Sequence, residues 1–119
     1  MNAPLTLTTI MFDSADPAAL AAFYSTATGW PITDTDDTFV YVGEGPVTLA
    51  FQHVPDYQAP SWPDPAKHAH LDFKTADKDQ AVQDLLAAGA KLPDFQPGGD
   101  SWTVLTDPEG HPFCVAEAS

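Results

Sequence analysis

The two halves of this chain repeat each other at a fixed spacing, and that repeat limits what the chain can fold into. Ile10-Met11-Phe12-Asp13-Ser14-Ala15-Asp16-Pro17 is echoed by Leu71-Asp72-Phe73-Lys74-Thr75-Ala76-Asp77-Lys78. Phe12 matches Phe73, Ala15 matches Ala76 and Asp16 matches Asp77, all at an offset of 61 (77 − 16 = 61). After each aspartate an alanine-rich helical pattern runs to a glycine, Gly29 in the first half and Gly89 in the second. Such a repeat is one supersecondary unit used more than once. Two copies make a two-module fold, too few for a solenoid, and paired modules leave a cleft where function is expected.

With 119 residues and 44% hydrophobic composition the chain is one domain's worth, with enough apolar surface for a core. No apolar run approaches bilayer-spanning length. The N-terminal stretch lacks a basic segment and a long apolar run, so no secretion signal is expected. The single cysteine, Cys114, excludes an internal disulfide framework and suits a reducing cytoplasm. The formal net charge is −13, with only Lys67, Lys74, Lys78 and Lys91 as cations and no arginine. Arginine is the usual bidentate reader of phosphate, so nucleic acid and polyanionic substrates are poor partners. The acidic surplus reads as solubility, or more sharply as a field that draws in a cationic ligand.

Alternation over Leu5 to Asp13 reads as a strand. Asp16-Pro17 is a helix start, and Leu20, Phe23, Tyr24 and Ala27 form one buried stripe. Trp30 is expected to pack beneath that helix. Asp34-Thr35-Asp36-Asp37 reads as a solvated loop. Phe39 to Val42 and Val47 to Val54 read as strands, with a turn between. Pro55, Pro60, Pro63 and Pro65 mark a stiff connector that carries Tyr57 and Trp62. A strand restarts at His68, and Asp77 with Gln80 makes a capping-box-like helix start. Ala81, Val82, Leu85 and Ala88 form the second buried stripe. Ser101 to Thr106 and Pro112 to Glu117 are strands joined by the turn Asp107-Pro108-Glu109-Gly110. Phe12, Leu20, Phe23, Leu49 and Phe51 are the expected core of one module. Phe73, Val82, Leu85, Phe113 and Val115 are that of the other.

Several stretches resemble the vicinal oxygen chelate superfamily, the glyoxalase, bleomycin-resistance and dioxygenase group, and most of all its small glyoxalase-like proteins. They are Asp16 to Tyr24 with Gly29-Trp30, Leu49-Ala50-Phe51-Gln52, His70-Leu71-Asp72-Phe73, and Asp107 to Cys114. The resemblance implies an α+β fold of two βαβββ-like modules, 1–55 and 66–119, joined by the connector 55–65, whose curved sheets enclose a cleft. It also implies up to four His, Gln or Glu metal ligands, on the first and last strands of each module. His70 falls at one of these positions. Thr9 stands at its repeat-related counterpart, and Cys114 stands where metal-using relatives place glutamate. The fourth position falls on Ala50 or on Gln52, which share a strand face. This shell argues against the usual metal site; a remnant of His70, Gln52 and Cys114 would suit a softer ion such as zinc.

Alternation points Thr9, Met11, Gln52, His70, Asp72, Trp102 and Cys114 to one concave surface, with Trp62 as a movable wall. His70 reads either as a general base, imidazole being the side chain that titrates nearest neutral pH, or as a structural partner of Asp72. Cys114 reads as a small buried hydrophobe rather than a nucleophile. His53 and His111 read as solvated, and His68 as lining the cleft mouth. The expected function is small-molecule binding without a cofactor, of a cationic or aromatic, antibiotic-like ligand. The alternative is a metal-dependent glyoxalase-like lyase, isomerase or dioxygenase that uses His70 with a nonstandard shell. A cytoplasmic homodimer is expected, because the resemblance and the open sheet edges both call for a partner.

Overall fold

The computed structural model describes residues 3–64 and 67–118. Pro65 of the expected connector and Ala66, the first residue of the expected second module, lie outside them. The chain forms two compact units, Met1–Tyr57 and Gln58–Ser119, in the α+β arrangement of two βαβββ-like modules.

The first unit runs β1 (Thr9–Ser14), α1 (Pro17–Thr28), β2 (Ile32–Thr35), β3 (Phe39–Val42) and β4 (Thr48–His53), with sheet order β1-β4-β3-β2. β1 lies parallel to β4, and β3 is antiparallel to both β4 and β2. The Asp16 carboxylate caps α1 by accepting from the Ala19 N–H at 3.2 Å, with Pro17 at the first helical position. Gly29 ends the helix at φ 73°, where a side chain would strain the backbone, and donates to the Ser25 carbonyl at 2.9 Å. Leu20, Ala21, Phe23 and Tyr24 are buried, and Tyr24 stacks on Phe51 at 5.3 Å while Phe12 meets Phe51 edge-on at 5.5 Å. Ala27, expected on the stripe, is exposed in the last turn of the helix, and Ala21 is buried instead.

Three expectations change here. β1 starts at Thr9, because its pairing with β4 begins at Thr9↔Thr48, and Leu5 and Leu7 stay exposed before it. The acidic stretch 34–37 is no plain loop: β2 hairpins onto β3, and Asp36 accepts from the N–H groups of Thr38 and Phe39, both at 2.8 Å. Those N–H groups, Phe39 first, hold the Asp36 carboxyl below the usual range. Trp30 is 40% exposed and lies against Gly43 rather than beneath the helix: a Cβ at Gly43 would sit 2.9 Å from the indole.

The second unit runs β5 (Leu71–Thr75), α2 (Lys78–Ala88), β6 (Thr103–Thr106) and β7 (Pro112–Glu117), with sheet order β5-β7-β6. Asp77 caps α2 by accepting from the Gln80 N–H at 3.1 Å. The Gln80 side chain donates to Asp84 at 2.9 Å, so the reciprocal half of the capping box does not form. The stripe Ala81, Val82, Leu85 and Ala88 is half-buried, and no residue of α2 is fully buried. Phe113 and Val115 are buried as expected, joined by Ala90, Val104 and Leu105, and the half-buried Phe73 meets Phe113 edge-on at 5.7 Å.

The strand that would follow α2 is reduced to one antiparallel bridge, Lys91↔Thr106, with both backbone bonds at 2.9 Å. Next along β6 the Gln96 side chain takes over: its Oε1 accepts from the Val104 N–H and its Nε2 donates to the Val104 carbonyl, both at 2.8 Å. One amide side chain thus does for Val104 what a neighbouring strand residue would do. β5 begins at Leu71 instead of His68, because His68 sits at φ 63° and interrupts the extended chain. β6 begins at Thr103 instead of Ser101. In the turn before β7, the fully buried Asp107 accepts from the N–H groups of Glu109 and His111 and pairs with His111 Nδ1 at 2.8 Å. His111 is therefore tied to a buried carboxylate and is not solvated as expected, whereas His53 is exposed.

Candidate functional site

Alternation along β5 turns Leu71 and Phe73 inward and Asp72 and Lys74 to the opposite face. The parallel register sets Asp72 beside Cys114 and Lys74 beside Ala116, while Val104 of β6 lies across from Cys114. Above this face is a concavity of about 500 Å³. His70, Asp72, Cys114, Trp62 and Trp102 line it, so five of the eight expected ligand-contacting residues meet in the second unit. Thr9, Met11 and Gln52 belong to the first unit, on the paired strands β1 and β4. There the Thr9 hydroxyl bonds that of Thr48 at 3.2 Å, Met11 is 40% exposed and Gln52 is half-buried. His68 is exposed and does not line the concavity.

The polar centre is compact. His70 Nε2 stands 3.1 Å from Asp72 Oδ1, with both side chains well exposed, so solvent screens the pair. Cys114 is partly buried. Its thiol is pushed above its ordinary pKa by burial first, then by the Asp72 charge and the hydrogen bond it gives that carboxylate. Asp72 thus stands between the imidazole and the thiol, and Cys114 stays a protonated thiol near neutral pH.

The walls are aromatic. Trp62 Nε1 donates to the Phe95 carbonyl at 2.9 Å, its ring lies 6.1 Å from that of Phe95, and Lys67 Nζ sits 5.0 Å from its ring centre. These three ties make Trp62 an anchored wall rather than a movable one. Trp102, 39% exposed, rests on Gly98: a Cβ there would fall 2.4 Å from the indole. Lys67, Lys74 and Pro97 also line the space and were not among the expected contacts. The alternation that places Asp72 also places Lys74; Lys67 and Pro97 lie outside the strands, where no such period exists.

The sequence profile of the glyoxalase-like domain matches residues 9–116. The chain belongs to that family, within the vicinal oxygen chelate superfamily. Solved structures agree on the fold. A glyoxalase/bleomycin resistance protein/dioxygenase family enzyme from Burkholderia phytofirmans PsJN is 21% identical over 97% of this chain and 100% of its own, with a TM-score of 0.74. A lactoylglutathione lyase from Agrobacterium tumefaciens is 16% identical, covering 98% and 96%, at 0.65. A bleomycin resistance determinant encoded on the transposon Tn5 is 20% identical, covering 97% and 99%, at 0.62. No protein of curated function matches by sequence. No helix among the described residues is long and apolar enough to cross a membrane.

Among the described residues His70, Asp72 and Cys114 bring a nitrogen, a carboxylate oxygen and a sulfur within 4.8 Å of one another. Such a mixed set fits zinc better than a hard ion. Gln52, the third donor of the expected remnant, belongs to the first unit. A bound cation would draw off the thiol proton that Asp72 otherwise helps retain.

Proposed function

We propose that this glyoxalase-like protein binds a small aromatic organic ligand in the concavity of its second unit, with no metal required. Trp62 and Trp102 supply flat apolar walls, and the Asp72 carboxylate is the polar anchor for a cationic or hydrogen-bond-donating group. Few directional polar groups among apolar walls is the makeup of a small-molecule site, and about 500 Å³ is of drug-ligand size. The observation that carries this reading is the pair of indoles facing one concavity, each held by its own contact, Phe95 for Trp62 and Gly98 for Trp102. His70 orients the carboxylate through its 3.1 Å contact. Because one structural neighbour is a bleomycin resistance determinant, antibiotic-like compounds belong in the first ligand panel. We read the protein as cytoplasmic and homodimeric; light scattering that returns a 12.7 kDa particle would overturn the dimer. Calorimetry against cationic and aromatic compounds, with and without chelator, tests the main reading. Binding weakened by Trp102→Ala and indifferent to chelator supports it, and binding abolished by chelator defeats it.

A second reading rests on the three donors within 4.8 Å. His70, Asp72 and Cys114 would hold a zinc ion, which supplies Lewis acidity toward ligand oxygens, as a lyase, isomerase or dioxygenase of this superfamily would need. In that case His70 and Cys114 serve as ligands, and Trp62 and Trp102 still orient the substrate. Stoichiometric metal in untagged protein, lost in both His70→Ala and Cys114→Ser, would establish it.

A further inference from the structure

The chain carries 17 carboxylates against four lysines, yet the concavity reverses that balance. Two of the four lysines, Lys67 and Lys74, line it, with Asp72 as the one carboxylate among its lining residues. His70 and Asp72 already contact each other, and Lys67 is engaged with the Trp62 ring and, at 3.4 Å, with the Asp64 carbonyl. Lys74 is different. Among the described residues its ammonium has no hydrogen bond and no ion pair. It stands two residues beyond Asp72 on the same face of β5, about 7 Å along the strand, beside the small Ala116. At physiological salt, charges more than about 8 Å away are largely screened, so a bound ligand responds to these near groups and not to the net −13.

Resting on the reading of this concavity as an organic-ligand site, we infer that its ligand is amphoteric: an aromatic compound bearing both an amine and a carboxylate. The ammonium pairs with Asp72, the carboxylate with Lys74, and the ring lies against Trp102, the residue just before β6. A purely cationic ligand leaves Lys74 unused and meets its repulsion. A purely anionic one meets Asp72.

A matched phenyl series tests this: 2-phenylethanol, phenethylamine, 3-phenylpropionate and phenylalanine, titrated by quenching of tryptophan emission in the intact protein. Phenylalanine is expected to bind about fivefold tighter than either singly charged compound, the worth of one solvent-exposed ion pair. Lys74→Met should bring phenylalanine down to the level of phenethylamine, and Asp72→Asn should bring it down to that of 3-phenylpropionate. Both changes sit on an exposed strand face, so folding is retained, and unchanged circular dichroism verifies it. If all four bind equally, or phenethylamine binds best and gains further from Lys74→Met, the inference fails while the site stands. If none saturates, 2-phenylethanol included, the aromatic site itself fails, and the inference with it.

Discussion

Both units open with a strand, an aspartate-capped helix and a terminating glycine, yet α1 buries four residues and α2 none. The local chemistry is the same: Asp16 and Asp77 each accept from the N–H three residues on, at 3.2 and 3.1 Å. What differs is the helix itself, with Leu20, Phe23 and Tyr24 on α1 against the smaller Ala81, Val82 and Leu85 on the more polar α2, and the sheet beneath. The first unit offers four strands and a cluster of Phe12, Tyr24 and Phe51 for α1 to cover. The second offers three strands, with its outer face given over to Asp72, Lys74 and Cys114. Capping residues decide where a helix starts and stops; the apolar face it carries and the surface it meets decide how deeply it is buried. Stability should therefore be concentrated in the first unit and ligand chemistry in the second.

The sharpest attempt to break that contrast compares Phe51→Ala with Val82→Ala. Phe51 is fully buried in the aromatic cluster, and its truncation should cost about 3–5 kcal/mol. Val82, half-buried on α2, should cost about 1 kcal/mol. Urea unfolding of both variants decides it, and equal losses would show that the units share the load. Gln96→Ala comes next. It leaves the Val104 N–H and carbonyl without their partner, a cost of about 1–3 kcal/mol, and should speed hydrogen exchange of the Val104 amide. Protection left unchanged would mean that Gln96 is ornamental.

Two glycines that seat indoles predict smaller losses. Gly43→Ala meets the Trp30 ring at 2.9 Å and also strains a backbone at φ 108°, so it should cost about 1–2 kcal/mol. Gly98→Ala meets Trp102 at 2.4 Å without positive φ. The indole swings away, stability should fall by less than about 1 kcal/mol, and tryptophan emission and ligand affinity should change. The mildest effect concerns Cys114. Burial and Asp72 raise its pKa, so alkylation by iodoacetamide should start to accelerate only above the pH at which an ordinary thiol does. Asp72→Asn removes the charge, lowers that pKa and should make alkylation faster at any pH below it.

Much of this is legible in the sequence, for local reasons. The caps, the glycine stops and the strands β3 and β7 follow from short-range chemistry and clear alternation. Strand period puts His70 and Asp72 on one face, and the family resemblance adds Cys114 to them. β2 was hidden because Ile32-Thr33-Asp34-Thr35 is exposed throughout and carries no apolar period. The anchoring of Trp62 depends on a carbonyl 33 residues away, and the tie between His111 and Asp107 on a turn that buries a carboxylate. The seat of Trp30 is not legible because it is a glycine, which leaves no mark in a hydrophobic pattern. Lys74 was legible by position, but a lysine on a strand reads as solvent-facing until the neighbouring walls are known.

The amide of Gln96 has one more effect, on how the protein behaves in company. An outermost strand with idle N–H and carbonyl groups is a template for another chain, the usual seed of runaway association. On β6 those groups at Val104 and Thr106 are occupied, by Gln96 and by Lys91. The three-stranded sheet is therefore closed to growth on that side, by a segment whose own lysine and prolines, Lys91, Pro93 and Pro97, make it a poor template in turn.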